Sequence, residues 1–352
     1  MELIYMYKTG LLGEPKAVTS EAWNAFASSH AESCCYHQAQ WRDVIQAAFG
    51  IMPYYIYAVD DKGSIAGVLP LFLSKSKLFG TFLTSIPFYN YGGILAKDQH
   101  AAQALLDKAE SIALETGARH IELRHVGNIM PDLPTKTHKV RMVMPLPSTP
   151  EELWEGFKSK LRSQIKRAQK EGMTVKIGSL DLLDDFYRVF CVNMRDLGTP
   201  VWTKKIFHNV LSSFPDQAFI CVVYFEGNPA AAGFLHGYKG YMEIPSASSL
   251  RKYNRLSPNM FLYWSVLEYA CSKGYKYFDF GRSSVDAGTY KFKEQWGSEP
   301  QTLHWQYWLA DGETLPEINP QNPKYRLLIG TWQKIPVWLA NCIGPMVSRS
   351  LP

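Results

Sequence analysis

Two short stretches hold most of the residues whose types and spacing suit chemistry. Glu243 lies in "YKGYMEIPSASS"; Asp279, Arg282, Tyr290, Lys291 and Lys293 lie in "YKYFDFGRSSVDAGTYKFKEQWG", residues 275–297. Strand alternation in the first stretch puts Tyr241, Glu243 and Pro245 on one face. A carboxylate beside aromatics has its charged form disfavoured and suits a base toward an amine. A surface Glu or a paired structural Glu fits the same pattern. If 290–293 is extended, Lys291 and Lys293 share one face and Tyr290 and Phe292 the other. Two lysines on one face hold an anion or steady a developing negative charge. Gly281 and Gly288 admit unusual backbone angles near the strand end. Their spacing is neither GxGxxG nor GxxxxGK[ST], so no nucleotide fingerprint applies.

Two further stretches offer positive charge. In "RKYNRLSPNMF", Ser257 is placed to cap a helix with Pro258 at its first position. The backbone N–H groups of such a start attract anions, and Arg255 and Asn259 flank it; ordinary capping reads the same way. In "STPEELWEGFKSKLRSQIKRAQKEG", Thr149, Pro150 and Glu152 form a capping box that opens a helix over 150–171. Leu153, Phe157, Leu161, Ile165 and Ala168 make its apolar stripe. Lys158, Arg162, Lys166 and Lys170 make a cationic one, either a solvated face or a landing strip for tRNA, a nucleotide diphosphate or anionic lipid.

The elements that must position these residues come in the same order twice. Helices over 19–30 and 38–49 precede a strand pair turning at Asp61-Lys62-Gly63, then the loop "SIPFYNYGGIL", a helix over 98–116 stopped by Gly117, and the strand "HIELRHVG". A strand over 2–8 begins the series. Helices over 181–197 and 203–213, a pair turning at Glu226–Pro229, a helix over 258–273 stopped by Gly274 and "YKYFDFG" repeat it. "ALETGARHIELRHVG" aligns with "ACSKGYKYFDFGRSS", pairing residue 113 with residue 270, 157 positions apart. This order predicts an α/β chain with mixed sheets, duplicated internally. The expected domains are 1–147 and 148–310, with a tail over 311–352.

Composition bounds the classes. The chain has 352 residues, 46% hydrophobic and 20% charged, with a net charge of +5, enough for two globular domains and too mildly basic to require DNA. Six cysteines without a CxxC pair read as reduced thiols of an intracellular protein. The start "MELIYMYKTG" lacks a signal-peptide pattern, and no apolar run is long enough to span a bilayer. No HExxH or GxSxG occurs, and no metal ligand set is expected.

"MRDLGTPVW", "EIPSASS", "YFDFGRSSVDAGTYKFKEQWG" and "NPKYRLLIGTWQKIPVWLANCIGP" together resemble the FemAB-related proteins associated with PEP-CTERM/exosortase systems of exopolysaccharide-producing bacteria. The resemblance implies two tandem GNAT-like acyltransferase folds. It implies transfer of an acyl or aminoacyl group to an amine on a small-molecule, envelope-precursor or exopolysaccharide-related acceptor; a non-catalytic module that holds a sugar or peptide precursor fits the 14% aromatic content equally. The implied donor is a co-substrate, aminoacyl-tRNA or acyl-CoA, with no tightly bound cofactor. Phe292-Lys293 resembles the family's Phe-Lys motif, and Glu243 falls on the strand that often carries a general base. Arg282, Tyr290 and Lys291 would hold substrate, with Tyr89, Asn90 and Tyr91 of the equivalent first-half loop. Arg255, Asn259, Lys158, Arg162 and Lys166 would hold the donor. Two departures stand out: no glycine lies between Leu250 and Asn259 where acyl-CoA enzymes place a pyrophosphate loop, and no coiled-coil arm is present. The expected location is cytoplasmic. The tail, with Trp332, Trp338, Lys334 and Arg349 and broken by Pro336 and Pro345, either packs on its own domain or rests on the inner membrane surface.

Overall fold

The computed structural model describes residues 7–77, 79–285, 287–316 and 323–351. In chain order its elements are β1 (Lys8–Leu11), α1 (Ser20–Ser29), α2 (Trp41–Phe49), β2 (Met52–Val59), β3 (Ile65–Ser76), β4 (Gly80–Thr84), β5 (Leu95–Ala96), α3 (Gln99–Thr116), β6 (His120–His125) and β7 (Thr135–Lys136). There follow β8 (Lys139–Pro145), α4 (Pro150–Gly156), α5 (Ser159–Lys170), β9 (Thr174–Gly178), α6 (Leu183–Leu197), α7 (Lys204–Ser213), β10 (Ala218–Phe225), β11 (Asn228–Tyr238), β12 (Tyr241–Ser249), α8 (Pro258–Ser272), β13 (Tyr277–Ser284), α9 (Gly288–Glu294), β14 (Glu299–Thr302), β15 (His304–Leu309), α10 (Pro323–Trp332) and α11 (Val337–Ser348). The strand expected over 2–8 falls mostly outside the described residues; the first described strand begins at Lys8.

Two mixed sheets organise the chain. One runs β1-β2-β3-β4-β6-β15-β7 with β5 paired to β3; the other runs β14-β8-β13-β12-β11-β10-β9. The compact units are Met1–Lys139 with Thr302–Glu317 and Arg349–Pro352, and Val140–Gln301 with Ile318–Ser348. This division differs from the expected 1–147 and 148–310. β15 lies between β6 and β7, and β8 lies between β13 and β14, so each strand fills the slot that a self-contained repeat would give to the other. The reason is hydrogen bonding. A strand beside β6 or β13 satisfies a row of buried N–H and C=O groups, and a strand remote in sequence serves as well as a near one.

The duplication is visible in the pairing. β4 and β6 pair in parallel through Leu83↔Ile121 and Thr84↔Glu122. β12 and β13 pair in parallel from Tyr241↔Tyr277 to Glu243↔Asp279. Parallel neighbours need a crossover, which α3 and α8 supply. α3 starts where the Asp98 carboxylate accepts from Ala101 N at 2.9 Å, and Gly117, with φ +68°, ends it. Gly274, with φ +76°, follows the end of α8. The first core packs Ile56, Leu69, Leu83, Ile121 and Leu123 under Leu105, Leu106 and Ala109 of α3. The second packs Met242, Ile244, Phe278 and Phe280 under α4, α5 and the almost wholly apolar α8.

The helix expected over 150–171 is two helices. Thr149 Oγ1 accepts from Glu152 N at 3.2 Å, but the Glu152 carboxylate accepts from Ser148 N, one residue before the expected box partner. The chain leaves helical geometry at Phe157 (ψ 143°) and Lys158 (ψ 145°), just after Gly156, a weak helix former. Phe157 is thereby turned into the core, edge-on to Trp264 and Trp296. Leu153, Leu161, Ile165 and Ala168 are buried as their spacing predicts.

Candidate active site

The parallel register of β12 and β13 ends at Glu243↔Asp279. Beyond it β12 stays with β11 as far as Ala231↔Ser249, while β13 kinks at Gly281, whose φ is +73°. A side chain at that angle is strained, so glycine is required there. On the other side of β12, Glu243 is in register with His236 of β11. In-register neighbours point to the same face. His236, Glu243 and Asp279 thus form one row, opposite the face where Met242, Ile244 and Phe278 pack under α8. All three are buried, at 2%, 5% and 3% exposure.

Several groups fix this row. Asp279 Oδ1 accepts from Gly281 N at 2.7 Å, closing the kink, and Arg141 Nη1 lies 3.9 Å from Asp279 Oδ2. Arg141 also sits over the Tyr241 ring, which stacks on Tyr277 at 4.7 Å. Burial pushes the His236 imidazole down to about 3, so it is neutral at pH 7, with the Phe214 ring 5.0 Å away. Lys293 Nζ donates to Gly281 O at 3.0 Å and Arg282 O at 2.8 Å. Burial lowers its pKa to about 8; the Asp279 and Glu243 carboxylates pull upward and Arg282 pulls down. An ammonium has three protons. Two go to these carbonyls, and the third has no acceptor among the described residues.

The lysine pair expected on one extended face is not formed. Residues 288–294 are the helix α9, where positions two apart point in different directions. Lys293 is buried, Lys291 is exposed and Tyr290 is half-buried against the core. Gly288 begins this helix without a positive φ. Arg282, expected to hold substrate, is exposed just past the kink.

The donor-side residues are placed as follows. Arg251–Leu256 forms a short 3-10 helix that brings an exposed Arg255 to the start of α8, with Asn259 in its first turn. Ser257 is the N-cap, in left-handed geometry (φ 57°), and its side chain makes no capping hydrogen bond. Lys158 stands at the N-cap of α5 rather than within the helix, so Arg162, Lys166 and Lys170 carry the cationic stripe alone. Lys166 Nζ lies 5.6 Å from the centroid of the Trp154 ring.

Tyr89 and Tyr91 are corrected. Both are buried in the first unit, at 3% and 2% exposure. Tyr89 packs on Tyr36 at 4.6 Å and on Trp41 at 4.8 Å, and Tyr91 lies 6.4 Å from Tyr36. Burying aromatic rings in an apolar cluster outweighs their use on a surface. Asn90 between them is half-buried. The residues here that the sequence did not mark are His236 in the row and Arg141 beside it. The register that aligns His236 with Glu243 depends on an irregularity between Phe234 and His236, and no sequence signal marks it.

Residues 156–294, which contain Glu243, Asp279 and Lys293, match the family described as acetyltransferase (GNAT) domain. No curated protein sequence matches the chain. Among solved structures the chain is similar to FemX, with a TM-score of 0.65 at 16% identity, covering 92% of this chain and 100% of that one. It is similar to a tandem GNAT protein from the clavulanic acid biosynthesis pathway, with a TM-score of 0.54 at 11% identity, covering 88% and 100%. It is also similar to L-PGS from Bacillus licheniformis, with a TM-score of 0.53 at 12% identity, covering 93% and 99%. At these identities the likeness is one of fold, and the chain is a tandem pair of GNAT folds with its GNAT acetyltransferase domain match in the second unit.

Proposed function

We propose that the second unit transfers an acyl or aminoacyl group from an activated donor to an amine, on a cell-envelope or exopolysaccharide-related acceptor. The observation that carries this reading is the buried Glu243–Asp279 pair at the point where two parallel strands part, with the Lys293 ammonium beside it. The match of residues 156–294 to the GNAT acetyltransferase domain supports it.

The acceptor amine attacks the carbonyl of a thioester (acyl-CoA) or of an ester (aminoacyl-tRNA). A C–N bond forms and the C–S or C–O bond breaks. Glu243, directly or through one water, takes the proton the amine loses. The leaving thiolate or ribose oxygen is protonated by Lys293, whose pKa of about 8 suits an acid near neutrality. His236 and Asp279 flank the base in its row. The uncapped start of α8, with Arg255 and Asn259, suits a donor phosphate; the exposed cations of α5 suit a polyanionic donor such as tRNA. Such donors are met in the cytoplasm, where the protein would act.

The test is turnover of an amine panel (amino sugars, envelope precursors, free amines) with acyl-CoA and aminoacyl-tRNA donors, products being weighed by mass spectrometry. Glu243→Gln is expected to lose roughly 100-fold or more in rate, the range for removing a general base. Full turnover by that variant sinks the reading.

A further inference from the structure

We propose that α10 and α11 form a docking surface for an anionic lipid bilayer. The inner sides of both helices are seated on the second unit. Ala340, Gly344 and Ser348, at helical spacing along α11, are buried. A Cβ on Gly344 would come 2.6 Å from Val201 Cγ1 and 2.9 Å from its backbone N, so only glycine permits this approach. Ile329 of α10 packs over Gly198 in the same way. Arg195 Nη1 donates to Ile335 O and Gln333 Nε2 donates to Asp196 O, both at 3.1 Å.

The outer side inverts the usual pattern. α11 buries its small residues and presents a stripe of Trp338, Cys342 and Met346 to solvent, with Trp338 67% and Met346 58% exposed. α10 presents Leu327 at 73% and Leu328 at 59%. A helix that serves only its own core hides its large apolar residues. An exposed set of this kind marks an interaction surface. Charge says which. Residues 323–352 contain Lys324, Arg326, Lys334 and Arg349 and no Asp or Glu. A soluble partner could match an apolar stripe, but a segment with cations alone complements an anionic surface. Indole rings favour the bilayer interface. No helix among the described residues is long and apolar enough to cross a membrane, so these helices would lie on the leaflet with Trp338, Leu327 and Leu328 entering it. This inference does not depend on acyl transfer by the second unit.

Flotation of the full-length protein with vesicles of phosphatidylcholine, with and without phosphatidylglycerol, tests it. The wild type is expected to float with the anionic vesicles and to be released by high salt. The triple variant Leu327→Ser, Leu328→Ser, Trp338→Ser should bind about tenfold or more weakly, because buried apolar area sets interfacial affinity. Its thermal midpoint should be unchanged, since the three side chains are exposed. Lys334→Glu should weaken binding to anionic vesicles alone. The proposal is overturned if the wild type fails to float, if it floats equally with neutral vesicles, or if the triple variant still floats. It is equally overturned if light scattering shows the triple variant dissolving a dimer while vesicle binding is absent.

Discussion

Thr84 and Glu243 occupy the same place in the two units. Each is the last residue of a strand's parallel register, facing Glu122 in one unit and Asp279 in the other. The spacing of 157 that aligns the halves also pairs Glu122 with Asp279 and Arg124 with Gly281. What surrounds these pairs differs. In the first unit Arg124 Nε donates to Glu122 at 2.6 Å, Tyr307 OH donates to the same carboxylate at 2.8 Å, and Arg124 Nη1 donates to Ile86 O and Tyr89 O. Trp305 stacks on the guanidinium, and Phe72 stands where the second unit has His236. The acid there is consumed by structure. In the second unit glycine replaces the arginine, the strand kinks, and a lysine from α9 reaches the carbonyls that the kink turns outward. One design thus gives a sealed ion pair in one copy and a buried carboxylate pair beside a titratable amine in the other.

The strongest way to break the comparison is to cut it. If each sheet truly needs the other half's strand, residues 1–147 and 148–352 made separately should both fail to fold, and made together should yield a soluble complex. Either sheet loses a strand from between two others, leaving rows of backbone groups unpaired. Cooperative melting of either piece alone, followed by circular dichroism, would show that the exchanged strands are dispensable.

Next in size is a pair of substitutions that should separate stability from rate. Arg124→Met leaves the Glu122 carboxylate buried without its cation, an expected loss of about 3–5 kcal/mol. Denaturant midpoints should show it, while rate per folded molecule stays as it was. Glu243→Gln should do the reverse, with rate lost and the melting midpoint nearly kept. If Arg124→Met abolishes turnover in folded protein, the first unit is part of the chemistry and the contrast fails.

Much of this contrast could be read from the sequence, and the missing parts have physical causes. The helix–glycine–strand repeat was legible because helix stops and strand alternation are local. Glu243, Asp279 and Lys293 were singled out by residue type and by the strand they sit near. The strand exchange was not legible: Lys139–Pro145 and His304–Leu309 are plain strands, and which sheet receives them is decided by tertiary pairing. The helical state of 290–293 was missed because Tyr-Lys-Phe-Lys alternates as a strand would; the register of Trp296 and Phe292 against Tyr263 holds it as a helix. Tyr89 and Tyr91 looked like groove residues because aromatic type alone does not separate a wall from a core.

The finest test concerns Lys293. Its folded pKa of about 8 lies below the ordinary lysine value of 10.5. It is therefore protonated below about 8 and neutral above. The unfolded chain keeps the proton up to about 10.5, so between these values unfolding takes up a proton and stability rises with pH. Below about 8 both states are charged and the cost of burying the ammonium is fully present. For the reaction the sign is opposite: an acid is lost on deprotonation, so kcat should fall as pH rises through about 8. Lys293→Arg keeps a cation that does not titrate and should remove that falling limb. Lys293→Met should also remove it while lowering the rate by about 10-fold or more, the low end for losing a proton donor. A falling limb near pH 8 that survives in both variants would assign the titration to another group and leave Lys293 as the clasp of the Gly281 kink alone.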